Sequence, residues 1–149
     1  MNRLMKIVCV SLTTLLLLSA TPVQATAKKE TKSAQTSSFN WAPVMEAIIQ
    51  VESEGNPRAV SGNSVGAMQI TPILVKDCNN ILEKRKSKVR YTLADRYNVA
   101  KSKEMFLLFQ SHYNPTNDVE KAIRLWNGGI RYTIKGTNNY YRKVMRQMK

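Results

Sequence analysis

One property limits the folds open to this chain more than any other: its apolar residues recur at helical spacing, and no stretch alternates convincingly at period two. Val44, Met45, Ile48 and Ile49 follow the 3.6-residue period of a helix from Trp41 to about Ser53. Asn40 is its N-cap, Pro43 is tolerated in its first turn, and Gly55 and Pro57 end it. Asn98 caps a second helix with Val99, Phe106 and Phe109 on one side. Asn117, with Glu120 three residues on, opens a third, in which Val119, Ala122, Ile123 and Trp126 share a face and Gly128-Gly129 is the stop. Thr137 caps a last helix with an apolar stripe of Tyr140, Tyr141, Val144, Met145 and Met148, and Arg142, Lys143 and Arg146 on its other side. The spacing predicts a mainly α, single compact domain.

The ends and the charge narrow the setting. Residues 1–27 have the make-up of a secretory signal: Arg3 and Lys6, then the apolar "IVCVSLTTLLLLSA", then the small-residue site Ala25–Ala27. That apolar run is shorter than the roughly 20 residues of a membrane helix, so no span is expected. Residues 28–39 are predicted to be a flexible linker and 40–149 the folded domain, periplasmic or secreted after signal removal. Cys78 is then the only cysteine, without an internal disulfide partner, and is expected in the core. Without Arg3 and Lys6, 21 basic residues face 10 acidic ones, a net charge of +11. Outside the cytoplasm such a charge is drawn to wall polymers and membrane surfaces, and the signal excludes nucleic acid. The basic "EKRKSKVR" (Glu83 to Arg90) is expected to be solvated, or to hold the protein on anionic wall material. With one histidine, His112, and no Cys/His/acid cluster, neither metal nor other cofactor is expected.

Glu52 stands out. It lies four residues after Ile48 and eight after Val44, on the stripe that faces inward. An unpaired buried carboxylate costs several kcal/mol, roughly, so such a group either escapes to water or keeps a proton. Burial, the carbonyls at the helix end and the nearby Glu54 are all expected to raise its pKa, as a general acid requires. Behind it, "NPRAVSGNSVGAMQITP" reads as a small-residue loop with a short apolar helix start at Gly66. Gly62 and Gly66 permit close backbone approach, and Ser61, Asn63, Ser64 and Gln69 offer hydrogen bonds along a groove wall.

"ESEGNPRAVS" followed by "GAMQITP" resembles the soluble lytic transglycosylase domain of the goose-type lysozyme superfamily, with its Glu-Ser, Gly-Asn-Pro, Ala-Val-Ser and Gly-x-Met-Gln. "NVAKSKEMF", "AIRLWNGG" and "TNNYYRKV" resemble its later motifs in the same order, with Ser102 for a glycine and Trp126 for a tyrosine. The loop between Ser61 and Gly66 is about one residue shorter than the family's usual one. The resemblance implies a lysozyme-like (α+β superfamily) helical fold with a substrate groove, and cleavage of the β-1,4 bond between N-acetylmuramic acid and N-acetylglucosamine. It makes Glu52 the only catalytic carboxylate: it protonates the glycosidic oxygen, then takes the proton of the muramic 6-hydroxyl, which closes a 1,6-anhydro ring. Ser61, Met68, Gln69, Asn127 and Tyr140 match positions that line the groove or support the acid, Met68 being expected as part core and part groove floor, and Ser64 joins them as a hydrogen-bonding group of the loop. Tyr140 is expected to hydrogen-bond Glu52. Asp77, Asp95 and Asp118 sit in no motif that sets a second carboxylate opposite Glu52, and Asp95 is expected to make a loop or cap contact. Substrate-assisted cleavage needs only one. The expected partners are peptidoglycan strands and, as short members of this family often serve such machines, a cell-envelope secretion or conjugation apparatus; a monomer is expected. Goose-type hydrolysis of the same bond, a non-catalytic cationic wall-binding or scaffold protein, and a membrane-active cationic protein are the alternatives.

Overall fold

A computed structural model describes residues 39–148. The expected signal and all of the linker except Phe39 lie outside the described residues. Helices dominate: α1 (Ala42–Ser53), α2 (Pro72–Lys84), α3 (Val99–Tyr113), α4 (Val119–Gly128) and α5 (Ile134–Gln147). Short 3-10 turns cover Leu93–Tyr97 and Gly129–Arg131. A two-stranded antiparallel hairpin, β1 (Val60–Ser61) and β2 (Ser64–Val65), turns through Gly62-Asn63. Among the described residues no helix is long and apolar enough to cross a membrane.

The apolar stripes meet as their spacing requires. α5 packs on α4 and α1, and α2 packs on α3. Ile48, Met68, Met105, Phe106, Ile123 and Val144 are all fully or almost fully buried at the centre. The Phe106 ring lies between Trp41, at 5.6 Å, and Trp126, at 5.2 Å. Cys78 is buried there too, and burial pushes its thiol up to about 12, so it behaves as a small core residue. The basic stretch after α2 is mostly exposed.

Local signals hold where one residue decides them. Asn98 Oδ1 accepts from the Lys101 amide at 3.1 Å and opens α3. Asn40, expected as the cap of α1, stands one residue before it: the N-cap is Trp41, the helix begins at Ala42, and Asn40 Oδ1 accepts from the Ala42 amide at 3.0 Å. Asp95 is a cap contact, its carboxylate accepting from the Thr92 amide and hydroxyl.

Three further expectations are corrected. α4 is capped by Asp118, whose Oδ1 accepts from the Lys121 amide at 3.0 Å, and not by Asn117, which takes a left-handed φ of 56°. The buried Asn114 decides this, because its side-chain amide bonds both the carbonyl and the amide of Asp118. α5 begins one turn earlier than expected, capped by Thr133, whose Oγ1 accepts from the Gly136 amide. Thr137 is instead buried, donating to the Thr133 carbonyl and accepting from Arg124. The expected helix start at Gly66 is a turn, Gly66 to Gln69, closed by a bridge between Val65 and Ile70, and the helix that follows begins at Pro72, where Thr71 Oγ1 accepts from the Leu74 amide. The hairpin strands before it are two residues each, too short to display alternation.

α4 and α5 are also joined by an arginine. Arg124 is 4% exposed; it bonds Glu120 at 2.8 Å, the Ile134 carbonyl at 3.1 Å and Thr137 Oγ1 at 3.0 Å. Its guanidinium carbon lies 4.5 Å from the centre of the Tyr141 ring. A planar fork with several donors makes such a buried junction possible, and Glu120 supplies the opposite charge.

Candidate active site

The last turn of α1 delivers Glu52 to the rim of a cleft of about 330 Å³. Glu54 then takes a left-handed φ of 53°, its amide and that of Gly55 close the helix on Gln50 and Ile49, and its side chain is exposed. Ser53 Oγ donates to the Ala67 carbonyl at 2.8 Å, which ties this helix end to the loop after the hairpin.

That loop is held by two further devices. Gln69, itself at a φ of 49°, donates its side-chain amide to the Gly66 carbonyl at 2.9 Å and the Ala59 carbonyl at 3.3 Å. Gly66 has a φ of 79°, and a Cβ there would lie 1.9 Å from the carbonyl oxygen of Arg96. Only glycine allows the two backbones to come this close. Arg96 itself donates to the Asn63 and Ile70 carbonyls across the same junction.

Burial raises the pKa of Glu52, and the Tyr140 hydroxyl, donating to Oε1 at 2.7 Å, lowers it by the smaller amount. Of the three influences expected to raise it, burial is therefore the one that acts, and Glu54 points away into solvent. Tyr140, in turn, is pushed up by its own burial and by the neighbouring carboxylate, so its hydroxyl stays a donor. The result is a carboxyl that keeps its proton above the usual range and is held in one orientation by a neutral phenol.

Ser61, Ser64, Gln69 and Asn127 line the same cleft as Glu52. Met68 does not: its side chain has no exposed surface and belongs to the core, so the expectation of a groove contact is corrected. Tyr140 stands behind Glu52 and not on the cleft wall. Thr71, Ile73, Leu74 and Asp77 come from the start of α2, and Phe109, Leu125, Trp126, Gly129 and Ile130 complete the lining. The helix carrying the first group announces itself only through Val75, Cys78, Ile81 and Leu82 at helical spacing behind Thr71-Pro72. Asp77, although it sits in no motif, shares the cleft with Glu52. Burial first, and then the negative charge of Asp77, raise the Tyr113 phenol and the Cys78 thiol, whereas the influences on Glu52 are burial and Tyr140 alone. Among the described residues no group of His, Cys, Asp and Glu is arranged to hold a metal ion.

The sequence that builds this site has a counterpart among known families. Residues 29–148 match the transglycosylase SLT domain. The chain belongs to that family. Its members are peptidoglycan lytic transglycosylases, and the mainly helical architecture described above agrees with the lysozyme-like fold of SLT domains. The match begins inside the stretch read as linker. No curated protein and no solved structure matches the chain.

Proposed function

We propose that this SLT domain is a lytic transglycosylase that cleaves the β-1,4 bond between N-acetylmuramic acid and N-acetylglucosamine, outside the cytoplasm, with Glu52 as its acid and base. The observation that carries the reading is the Glu52 carboxyl itself: raised in pKa by burial, bonded by Tyr140 at 2.7 Å, and open to the cleft.

The chemistry follows from that carboxyl. Protonated Glu52 donates to the glycosidic oxygen as the bond to the muramic C1 breaks and positive charge builds on the ring. The leaving N-acetylglucosamine takes the proton with its 4-oxygen. The substrate's own N-acetyl group stabilises the cationic ring, so no protein nucleophile is required. Glu52, now anionic, accepts the proton of the muramic 6-hydroxyl as that oxygen bonds C1. The anhydro ring closes and the acid is restored. Tyr140 favours the anion formed midway, which moderates the burial penalty at the moment Glu52 is charged. Ser61, Ser64, Gln69 and Asn127 are neutral polar groups suited to sugar hydroxyls and acetamides, and Trp126 and Ile130 offer apolar surface to ring faces.

Mass spectrometry of the fragments released from purified peptidoglycan tests this. Anhydromuramic ends that disappear with Glu52→Gln are the expected result. Reducing ends would replace the reading with goose-type hydrolysis, and binding without any release would leave a wall-binding protein.

A further inference from the structure

Asp77 is half-buried on the wall of the cleft, beside Leu74 and one turn after Ile73. The chain carries 23 Lys and Arg against 10 acids, yet among the described residues Asp77 makes no ion pair and no side-chain hydrogen bond. The other polar groups of the cleft, Glu52 apart, are neutral. A carboxylate part-way out of water with no protein partner is an incomplete arrangement, and a ligand can complete it. Hydroxyls and acetamides need no such charge, since Ser61, Ser64 and Asn127 already serve them. A cation does.

We propose that Asp77 receives a primary ammonium group of the substrate at a point in the cleft separate from Glu52. This rests on the reading that the cleft takes peptidoglycan. In that polymer an ammonium has two sources: a glycan sugar whose 2-amino group is unacetylated, or the side-chain amine of a diamino acid in a peptide stem. Both present the same charge and the same donors, and either can pair with a carboxylate that has no protein partner. Asp77 thereby selects among wall strands and leaves the proton chemistry to Glu52.

The test compares wild type, Asp77→Asn and Asp77→Glu on three substrates. These are native peptidoglycan, the same material with its free amines acetylated, and glycan strands stripped of their stems by an amidase. Acetylation is expected to lower the wild-type kcat/KM about tenfold. It should leave Asp77→Asn, already lowered by that factor on native material, unchanged. Asp77→Glu should recover part of the sensitivity, and circular dichroism should show all three equally helical. Loss on stripped strands equal to the loss on acetylation assigns the amine to the stem; no loss assigns it to the sugar. Equal slowing of wild type and Asp77→Asn by acetylation, or slowing of neither, overturns the proposal. Pull-down of Glu52→Gln with and without Asp77→Asn, on native and acetylated sacculi, reads binding without cleavage. Binding that ignores both the amines and Asp77 overturns this proposal alone, whereas no binding and no cleavage of any wall material overturns the peptidoglycan reading with it.

Discussion

Replacing Glu52 by glutamine keeps the side chain's shape and the oxygen that accepts from Tyr140 at 2.7 Å, and removes the proton and the charge. Two opposed influences act on the native carboxylate. The Tyr140 bond to the anion is worth about 1.5–3 kcal/mol. Burial opposes it and is the larger of the two, so withdrawing the charge from water costs more than that bond returns. Glu52 therefore holds its proton above the unfolded value of 4.5. For an acid whose folded pKa is raised, stability is untouched below the unfolded value and is lost as pH rises from there to the folded value. Within that window the wild type should lose up to about 1.4 kcal/mol per pH unit relative to Glu52→Gln, and the gap should be constant beyond it. Urea unfolding of both proteins from about pH 4 to about pH 8 measures this directly. Activity should fall by roughly 100-fold to 10,000-fold or more in the same variant, so function and stability change in opposite directions. Stability curves that run parallel across this range, or a wild type that gains on the variant as pH rises, would refute the burial argument.

Other changes probe the supports of the site. Tyr140→Phe removes the influence that lowers the Glu52 pKa, so the alkaline limb of the kcat profile should move to higher pH with helicity unchanged; a stationary limb counts against the bond's role. Gly66→Ala puts a Cβ 1.9 Å from the Arg96 carbonyl oxygen at a φ of 79°. Left-handed strain and overpacking together should cost about 2–5 kcal/mol in denaturant unfolding, and a cost below about 1 would show that the junction yields easily. Arg124→Lys keeps the charge but loses the fork that reaches Glu120, Ile134 and Thr137 together, at about 1–3 kcal/mol. Unfolding midpoints indistinguishable from wild type would make that junction dispensable.

Elements whose ends are set by one nearby side chain were legible in the chain, as with α3 behind Asn98. Where two capping residues compete a few positions apart, as Asn117 with Asp118 and Thr133 with Thr137, the choice fell to buried partners, Asn114 and Arg124. α2 was there to be found in the spacing of Val75, Cys78, Ile81 and Leu82, and its absence from the sequence reading is why Asp77 and Ile73 were not placed in the cleft. Met68 was read as part core and part groove floor and is core alone, because a motif position does not say which way a side chain turns.

The sequence by itself determined that this chain is mainly helical and that one carboxylate ends an apolar stripe, because periodicity and register are local properties of a few turns. Only the tertiary structure decided what that carboxylate meets. Tyr140 lies 88 positions away, and α5 brings it to Glu52 by packing against both α1 and α4. The joining of the hairpin to the rest at Gly66 and Arg96, and the arrival of a second carboxylate in the cleft, are likewise contacts between distant segments. Their geometry depends on how the whole core packs, and no window of neighbouring residues contains it.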